Sequence, residues 1–446
     1  MNPTDNHLIW LALAAVVLLV TLATWAKVNA FIALLAGALL VGAGAGQPLL
    51  TVAKSFQDGL GATLGNIAAV ICLGAMLGRL LAESGGAVVL ATKFNDFFGP
   101  QRVVACVVAL GLVVGLATWY AVGLLLLLPI IVSLTKQSGR PFLQLALPLV
   151  VALSVMHGLT PPHPGPIVAI DALKANTGLV LLWAFVLGVP TVLIAGPLVS
   201  PWLAKFEPAH PPLLSELGKT DAAMNPPGFG LTLATVLLPV LLMLLATLAD
   251  LLLPVGDSWR TAADFIGSPL MALVVAVLAA SWSFGFRCGL NRARILKITE
   301  ESVAMVGMSI LLLGAAGGFG RVLRDAGVAQ ALGSLAQTWH LPLLVYGWMI
   351  AACIRVSVGS ATVATTTAAG LVAPLLVPGS GVSPELLVIA IGFGSLICSH
   401  LNDSGFWITK DCLGLSVPQA LRTFTVVETV VSVVGLGLVL LVDFFR

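Results

Sequence analysis

Residues 396–411 read LICSHLNDSGFWITKD. The stretch opens as apolar helix, places Ser399, His400, Asn402, Asp403 and Ser404 within six residues, breaks at Gly405 and resumes as Phe406-Trp407-Ile408. A polar, acid-bearing interruption at membrane depth is tolerated only where it lines a protein cavity or a water path. The stretch therefore predicts an all-α polytopic membrane protein in which broken helices meet at a buried site.

The composition agrees. Of 446 residues, 59% are hydrophobic and 9% charged, with a mean hydropathy of +1.07, whereas a soluble domain carries about 25% charged residues. The net charge of +2 is spread between apolar runs, which argues against a nucleic-acid partner, since that needs Lys and Arg clustered on one face. The one dense basic cluster is Arg287, Arg292, Arg294 and Lys297. MNPTDNHLIW lacks the positive region of a cleavable signal and reads as the start of an uncleaved helix. Cysteines 72, 106, 288, 353, 398 and 412 form no CxxC pair and read as small buried hydrophobes. No cofactor and no metal are implied.

About 10–14 membrane segments are expected. A polar link at 47–58 precedes a segment at 64–82, and a basic loop at 287–297 precedes one at 303–323. The least hydrophobic part of the chain, 205–228, reads as a linker between residues 1–204 and 229–446. These two parts repeat. Gly-Arg-Leu-Leu-Ala-Glu-Ser-Gly at 78–85 matches Gly-Arg-Val-Leu-Arg-Asp-Ala-Gly at 320–327 (321 − 79 = 242). His157 falls against His400 (400 − 157 = 243), and the break at Thr118 against Ser360 (360 − 118 = 242). Basic turns alternate with near-neutral mates: 287–297 against 45–55, and 136–140 against 378–384. By the positive-inside rule the repeats then face opposite ways, as in secondary transporters whose sites lie where broken helices of both halves meet.

Four breaks carry the chemistry. Residues 357–367, SVGSATVATTT, follow Arg355; Ser357, Ser360 and Thr362 there suit a re-entrant tip whose hydroxyls and backbone N–H groups hold an anionic or polyhydroxylated ligand. Close helix packing by small residues is the alternative. Arg355 suits either a substrate carboxylate or a protein acid such as Asp403. The first-half mate is Thr118-Trp119-Tyr120, although Trp and Tyr also mark membrane interfaces. LTPPHPGP at 159–166 carries four prolines, which no continuous helix accepts. His157, Thr160 and His163 lie beside or within it, and Asp171 follows. Asp403 leads the proton-coupling candidates, with Asp171 and His157 behind it, because low dielectric disfavours a charged carboxylate. A salt bridge of Asp403 with Arg355 or Lys410 is the structural alternative. His400, Asn402 and Ser404 suit hydrogen bonds to ligand hydroxyls.

GLTPPHPGPIVAI at 158–170, SVGSATVATTTAAGLVAP at 357–374 and SLICSHLNDSGFWITK at 395–410 resemble the gluconate permease family, the gluconate:proton symporters. The resemblance spans essentially the whole chain. It implies uptake of gluconate or a related small organic anion with protons across the cytoplasmic (inner) membrane. It also implies an inverted-repeat homodimer in the lipid bilayer, of the ion transporter superfamily, working by an elevator motion. Similar permeases are assigned to idonate, fructuronate, glycerate or D-serine. An intramembrane enzyme is disfavoured, since there is no HExxH or GxSxG motif. A channel and sodium coupling are the remaining alternatives.

Overall fold

In lipid a backbone must satisfy its own N–H and C=O groups, so bilayer-length apolar runs become helices. A computed structural model describes residues 3–26, 28–206, 225–254, 256–328, 331, 341–377, 381–400 and 403–446, and has no strand among them. The proposed linker therefore lies mostly outside the described residues. In chain order the helices are α1 (Pro3–Val20), α2 (Ala30–Gly44), α3 (Leu49–Glu83), α4 (Gly86–Phe98), α5 (Val103–Ala117), α6 (Tyr120–Ser138), α7 (Phe142–Leu159), α8 (Pro164–Leu173), α9 (Thr177–Leu193) and α10 (Ser200–Phe206). They continue with α11 (Phe229–Leu252), α12 (Ser258–Gly267), α13 (Pro269–Ala280), α14 (Arg292–Asp325), α15 (Leu343–Val358), α16 (Ala361–Val372), α17 (Pro384–Gly394), α18 (Ser404–Cys412) and α19 (Val417–Phe445). Among the described residues seven segments are long and apolar enough to cross a membrane, or eight with α3, which bends by 42° between Leu49–Gly65 and Ala68–Glu83. Six shorter apolar helices of 10–17 residues accompany them. The chain is a multi-pass membrane protein.

Two polar stretches read as connections are helical instead. Residues 49–58 belong to α3, and 292–297 to α14. Arg294 of one stretch and Ser55 of the other latch the two helices as an antiparallel pair. Glu83, at the end of α3, meets Arg79 at 2.9 Å and Arg294 of α14 at 2.9 Å. At the other end Asp325 meets Arg321 at 3.0 Å and accepts from Ser55 of α3 at 2.8 Å. The repeated Gly-Arg motifs thus make the same i,i+4 pair twice. Between the latches the helices cross on glycine: a Cβ at Gly59 would lie 2.7 Å from the Gly317 carbonyl oxygen, and one at Gly318 would lie 2.7 Å from that of Phe56. Small residues permit this approach.

The main hydrophobic core gathers α5–α9 with α15–α19; a smaller one joins the end of α3 to α13 and the start of α14. At the centre is α7, buried along nearly its whole length. Its end crosses the end of α17 at Gly158 and Gly392, where a Cβ on Gly392 would sit 2.8 Å from the Gly158 carbonyl oxygen. That crossing brings two helix breaks together.

Candidate functional site

Each break leaves helix ends that must find partners. Helix α5 stops at Ala117, and α6 starts after Trp119 in extended backbone. Gly359 ends α15 at φ +78°, and Ser360 caps α16 by accepting from Val363 N–H at 3.3 Å. After α7, the Pro-rich run leaves helix at Thr160–His163 and resumes with prolines at the start of α8. After α17 the chain turns through 395–398, and Asp403 caps α18 by accepting from Gly405 N–H at 2.8 Å. Asp is among the preferred residues at this position.

Three of these ends converge on one cavity of about 250 Å³. Trp119, Tyr120 and Ala121 line it from the start of α6, Ser360 and Thr362 from that of α16, and Asp403 and Gly405 from that of α18. Ser154 and His157 of α7 and Arg355 of α15 complete its polar wall. Each helix N-terminus presents free N–H groups and about half a positive charge. The cavity is thus favourable to an anion before any side chain is counted.

Arg355 and Asp403 form its charged centre, 5% and 9% exposed at the side chain. Arg355 donates from Nη2 to Asp403 Oδ2 at 2.5 Å and from Nη1 to the Gly359 carbonyl at 2.6 Å. Its Nε is buried with no hydrogen-bond partner among the described residues. Ser399 also donates to Asp403 Oδ2, and Thr425 of α19 donates to the Ser399 carbonyl. Asp403 is therefore held by Arg355, Ser399 and Gly405, which makes the ion pair foreseen between Arg355 and Asp403 a feature of the site. Lys410 pairs instead with Asp411 at 2.7 Å and is not among the residues that line the cavity. His157 is half-buried, with its Nδ1 buried and unpartnered among the described residues and its ring 4.9 Å from that of His163 and 6.1 Å from that of Trp119. Tyr120 donates to Thr409 Oγ1 at 2.6 Å, since Thr409 spends its own hydrogen on the Gly405 carbonyl at 2.7 Å.

Other sequence candidates fall outside this wall. Thr118 and Thr160 are buried and turn back on their helices, donating to the carbonyls of Val114 at 2.9 Å and Met156 at 2.6 Å. His163 donates from Nε2 to the Gly115 carbonyl at 2.8 Å and stands behind His157. His400 donates to the Val356 carbonyl at 3.1 Å. Asp171 lies at the opposite end of α8, 3.2 Å from Lys174, in a separate cavity of about 200 Å³ with Arg321 and Arg324. Asn402 and the side chains of Ser357 and Ser404 lie outside the described residues. Sequence reasoning passed over Ser154, Phe424 and Glu428. The last had a signal: it is the only acid between 412 and 442, in the middle of an apolar span.

The model of the GntP family permeases matches residues 6–445. The chain belongs to that family. It is 40% identical over 441 residues to a gluconate permease of Pseudomonas aeruginosa, covering 98% of each protein. A high-affinity gluconate transporter of Escherichia coli is 40% identical over 94% of this chain and 96% of its own. The Gnt-II system L-idonate transporter of the same organism is 39% identical over 95% of this chain and 96% of its own. Among solved structures, the fold is shared with the Alcanivorax borkumensis YdaH transporter, with a TM-score of 0.61 at 17% identity over 93% of this chain and 98% of that one. Neisseria gonorrhoeae MtrF gives 0.63 at 15% identity over 92% and 93%. The GntP family chain is thus a transporter, not an enzyme.

Proposed function

We propose that this permease is a secondary carrier taking up gluconate or a closely related sugar acid together with protons. The observation that carries the reading is the convergence of three helix N-termini on one cavity that Arg355 also lines. A carboxylate would dock at Arg355, and Ser360, Thr362 and the free backbone N–H groups of α6 and α16 would take the polyol. At about 250 Å³ the cavity is small beside the ~300–1,000 Å³ typical of drug-sized ligands, which suits a six-carbon acid. Relatives named for gluconate and for L-idonate support the same ligand class. The test is uptake of a labelled panel by purified protein in liposomes, under an imposed pH gradient with sodium varied separately. Gluconate or idonate accumulation that follows the pH gradient is expected. Accumulation following sodium alone would overturn the proton assignment, and uptake without counterflow would indicate a channel.

The carrier would consist of two inverted repeats, 1–204 and 229–446, moving as an elevator within a homodimer. Element spacing supports the repeat: α3 and α14 begin at 49 and 292 (292 − 49 = 243), α6 and α16 at 120 and 361 (361 − 120 = 241), and α7 and α17 at 142 and 384 (384 − 142 = 242). Inversion places the turns after α6 and before α17 on opposite sides of the membrane. In a background without reactive cysteines, Arg140→Cys and Val382→Cys should be labelled by an impermeant thiol reagent from opposite faces. Labelling from one face would refute inversion.

A further inference from the structure

We propose that Glu428, which stands behind the cavity wall rather than in it, is the group that carries the coupled proton. The proposal rests on the symport reading above. Glu428 lies in α19 and is 1% exposed. It faces inward with Phe424, Val427 and Val431, all buried. Its Oε2 accepts from Ser154 Oγ at 2.8 Å, while its Oε1 is buried without a partner among the described residues. Ser154 itself lines the cavity beside His157. One hydroxyl therefore separates the cavity from a buried carboxyl.

Among the described residues no cation forms an ion pair with Glu428. Arg355 of α15 and Asp403 at the head of α18 are the charged groups near enough to influence it, but Arg355 donates to Asp403 and to the Gly359 carbonyl. Tyr120 of α6 is the other titratable neighbour, and it donates to Thr409. Helix α9 holds no titratable residue. The Glu385 carboxyl, at the start of α17, is bound by Ser383 and Asn176 N–H, and Lys205 of α10 is exposed. Within α19, Arg422 is exposed and Asp443 sits at the far end. An ionised carboxylate buried with one neutral donor is costly; the neutral acid is not.

Charge balance then links the proton to the substrate. The Arg355–Asp403 pair is neutral as a unit, so a bound aldonate adds one negative charge, offset by three helix N-termini of about +0.5 each. An ionised Glu428 would add a second. Anion binding therefore favours the protonated carboxyl, and protonation favours anion binding by the same factor. Transfer is a simple proton movement: Ser154 Oγ receives a proton from a hydronium ion in the cavity, leaving neutral water, while its own passes to Glu428 Oε2, and release reverses both steps. Asp403, whose oxygens are held by Arg355, Ser399 and Gly405, serves in this scheme as the fixed partner of Arg355.

The test uses liposomes containing the wild type, Glu428→Gln or Glu428→Asp. Labelled gluconate is followed in counterflow at equal pH and in accumulation under a pH gradient. The Gln variant should keep counterflow within about threefold of wild type and lose at least tenfold in gradient-driven accumulation; the Asp variant should accumulate. Gluconate binding to detergent-purified protein should tighten as pH falls in the wild type and be independent of pH in the Gln variant, which decides the matter even if that variant transports nothing. Gradient-driven accumulation by Glu428→Gln, or retained pH dependence of its binding, overturns the proposal. If wild-type uptake ignores the pH gradient, the symport reading itself fails, whatever the variants do.

Discussion

Replacing Arg355 with alanine is expected to abolish gluconate counterflow and to destabilise the purified protein by about 3–5 kcal/mol, the usual cost of breaking a buried ion pair from one side. Asp403 is 9% exposed at the side chain and would be left facing Ser399 and Gly405 N–H without its cation. The Gly359 carbonyl would lose its donor as well. The double variant Arg355→Met/Asp403→Asn separates the two effects. Asn keeps the cap on α18, since Asn is as good a cap as Asp, and no buried charge remains. Its thermal stability in detergent should recover most of the loss while counterflow stays absent. A double variant no more stable than Arg355→Ala would show that the guanidinium matters for packing and not as a charge partner. Counterflow by either variant would sink the assignment of Arg355 to the substrate carboxylate.

The sequence placed the breaks but not the contacts, for a physical reason. A break is a local event: prolines at 161, 162, 164 and 166, Gly359 and the Asn402-to-Gly405 run forbid or discourage helix where they stand, and each stretch can be read without knowing its neighbours. Which side chain faces the cavity depends on where a helix points after the break. Thr118 and Thr160 illustrate this. Both lie at breaks, yet both hydroxyls satisfy carbonyls four residues back, the competing local bond open to any Thr in a helix. Ser360 and Thr362 of the second-half tip do reach the cavity, because the left-handed Gly359 turns the start of α16 towards it. Asp171 follows the proline break in sequence, but about two turns of α8 carry it to another cavity. Glu428 carries no break to mark it, since α19 is continuous. The cost of a buried acid, which singled out Asp403, applies to it equally.

The latches between α3 and α14, Glu83 with Arg294 and Ser55 with Asp325, explain why these long helices could not have been delimited by hydropathy. Both carry charge at their ends: Glu83 of α3 pairs with Arg294 of α14, and Asp325 of α14 pairs with Arg321 of its own helix and accepts from Ser55 of α3. A polar residue in a membrane protein ends a helix only when no neighbour can pair with it. The positions of those neighbours are tertiary information.

Gly359 offers the sharpest separation of backbone shape from side-chain chemistry. Its φ of +78° lies in the left-handed region, where a β-branched residue costs about 1–2 kcal/mol. Its carbonyl accepts from Arg355 Nη1 at 2.6 Å, and the next residue, Ser360, lines the cavity and caps α16. Gly359→Val should therefore relax the turn, pull the carbonyl off Arg355 and misdirect the start of α16, weakening gluconate binding at least tenfold, or about 1.4 kcal/mol. Gly359→Asn adds a side chain of similar bulk but tolerates the same φ, and should bind within about threefold of wild type. Titration of both purified variants with labelled gluconate checks the pair. Equal losses would mean that the space around residue 359, and not the turn, is what the site needs. A normal Val variant would mean that the α16 N-terminus does not hold the substrate, and the polyol would then have to be held by the start of α6 alone.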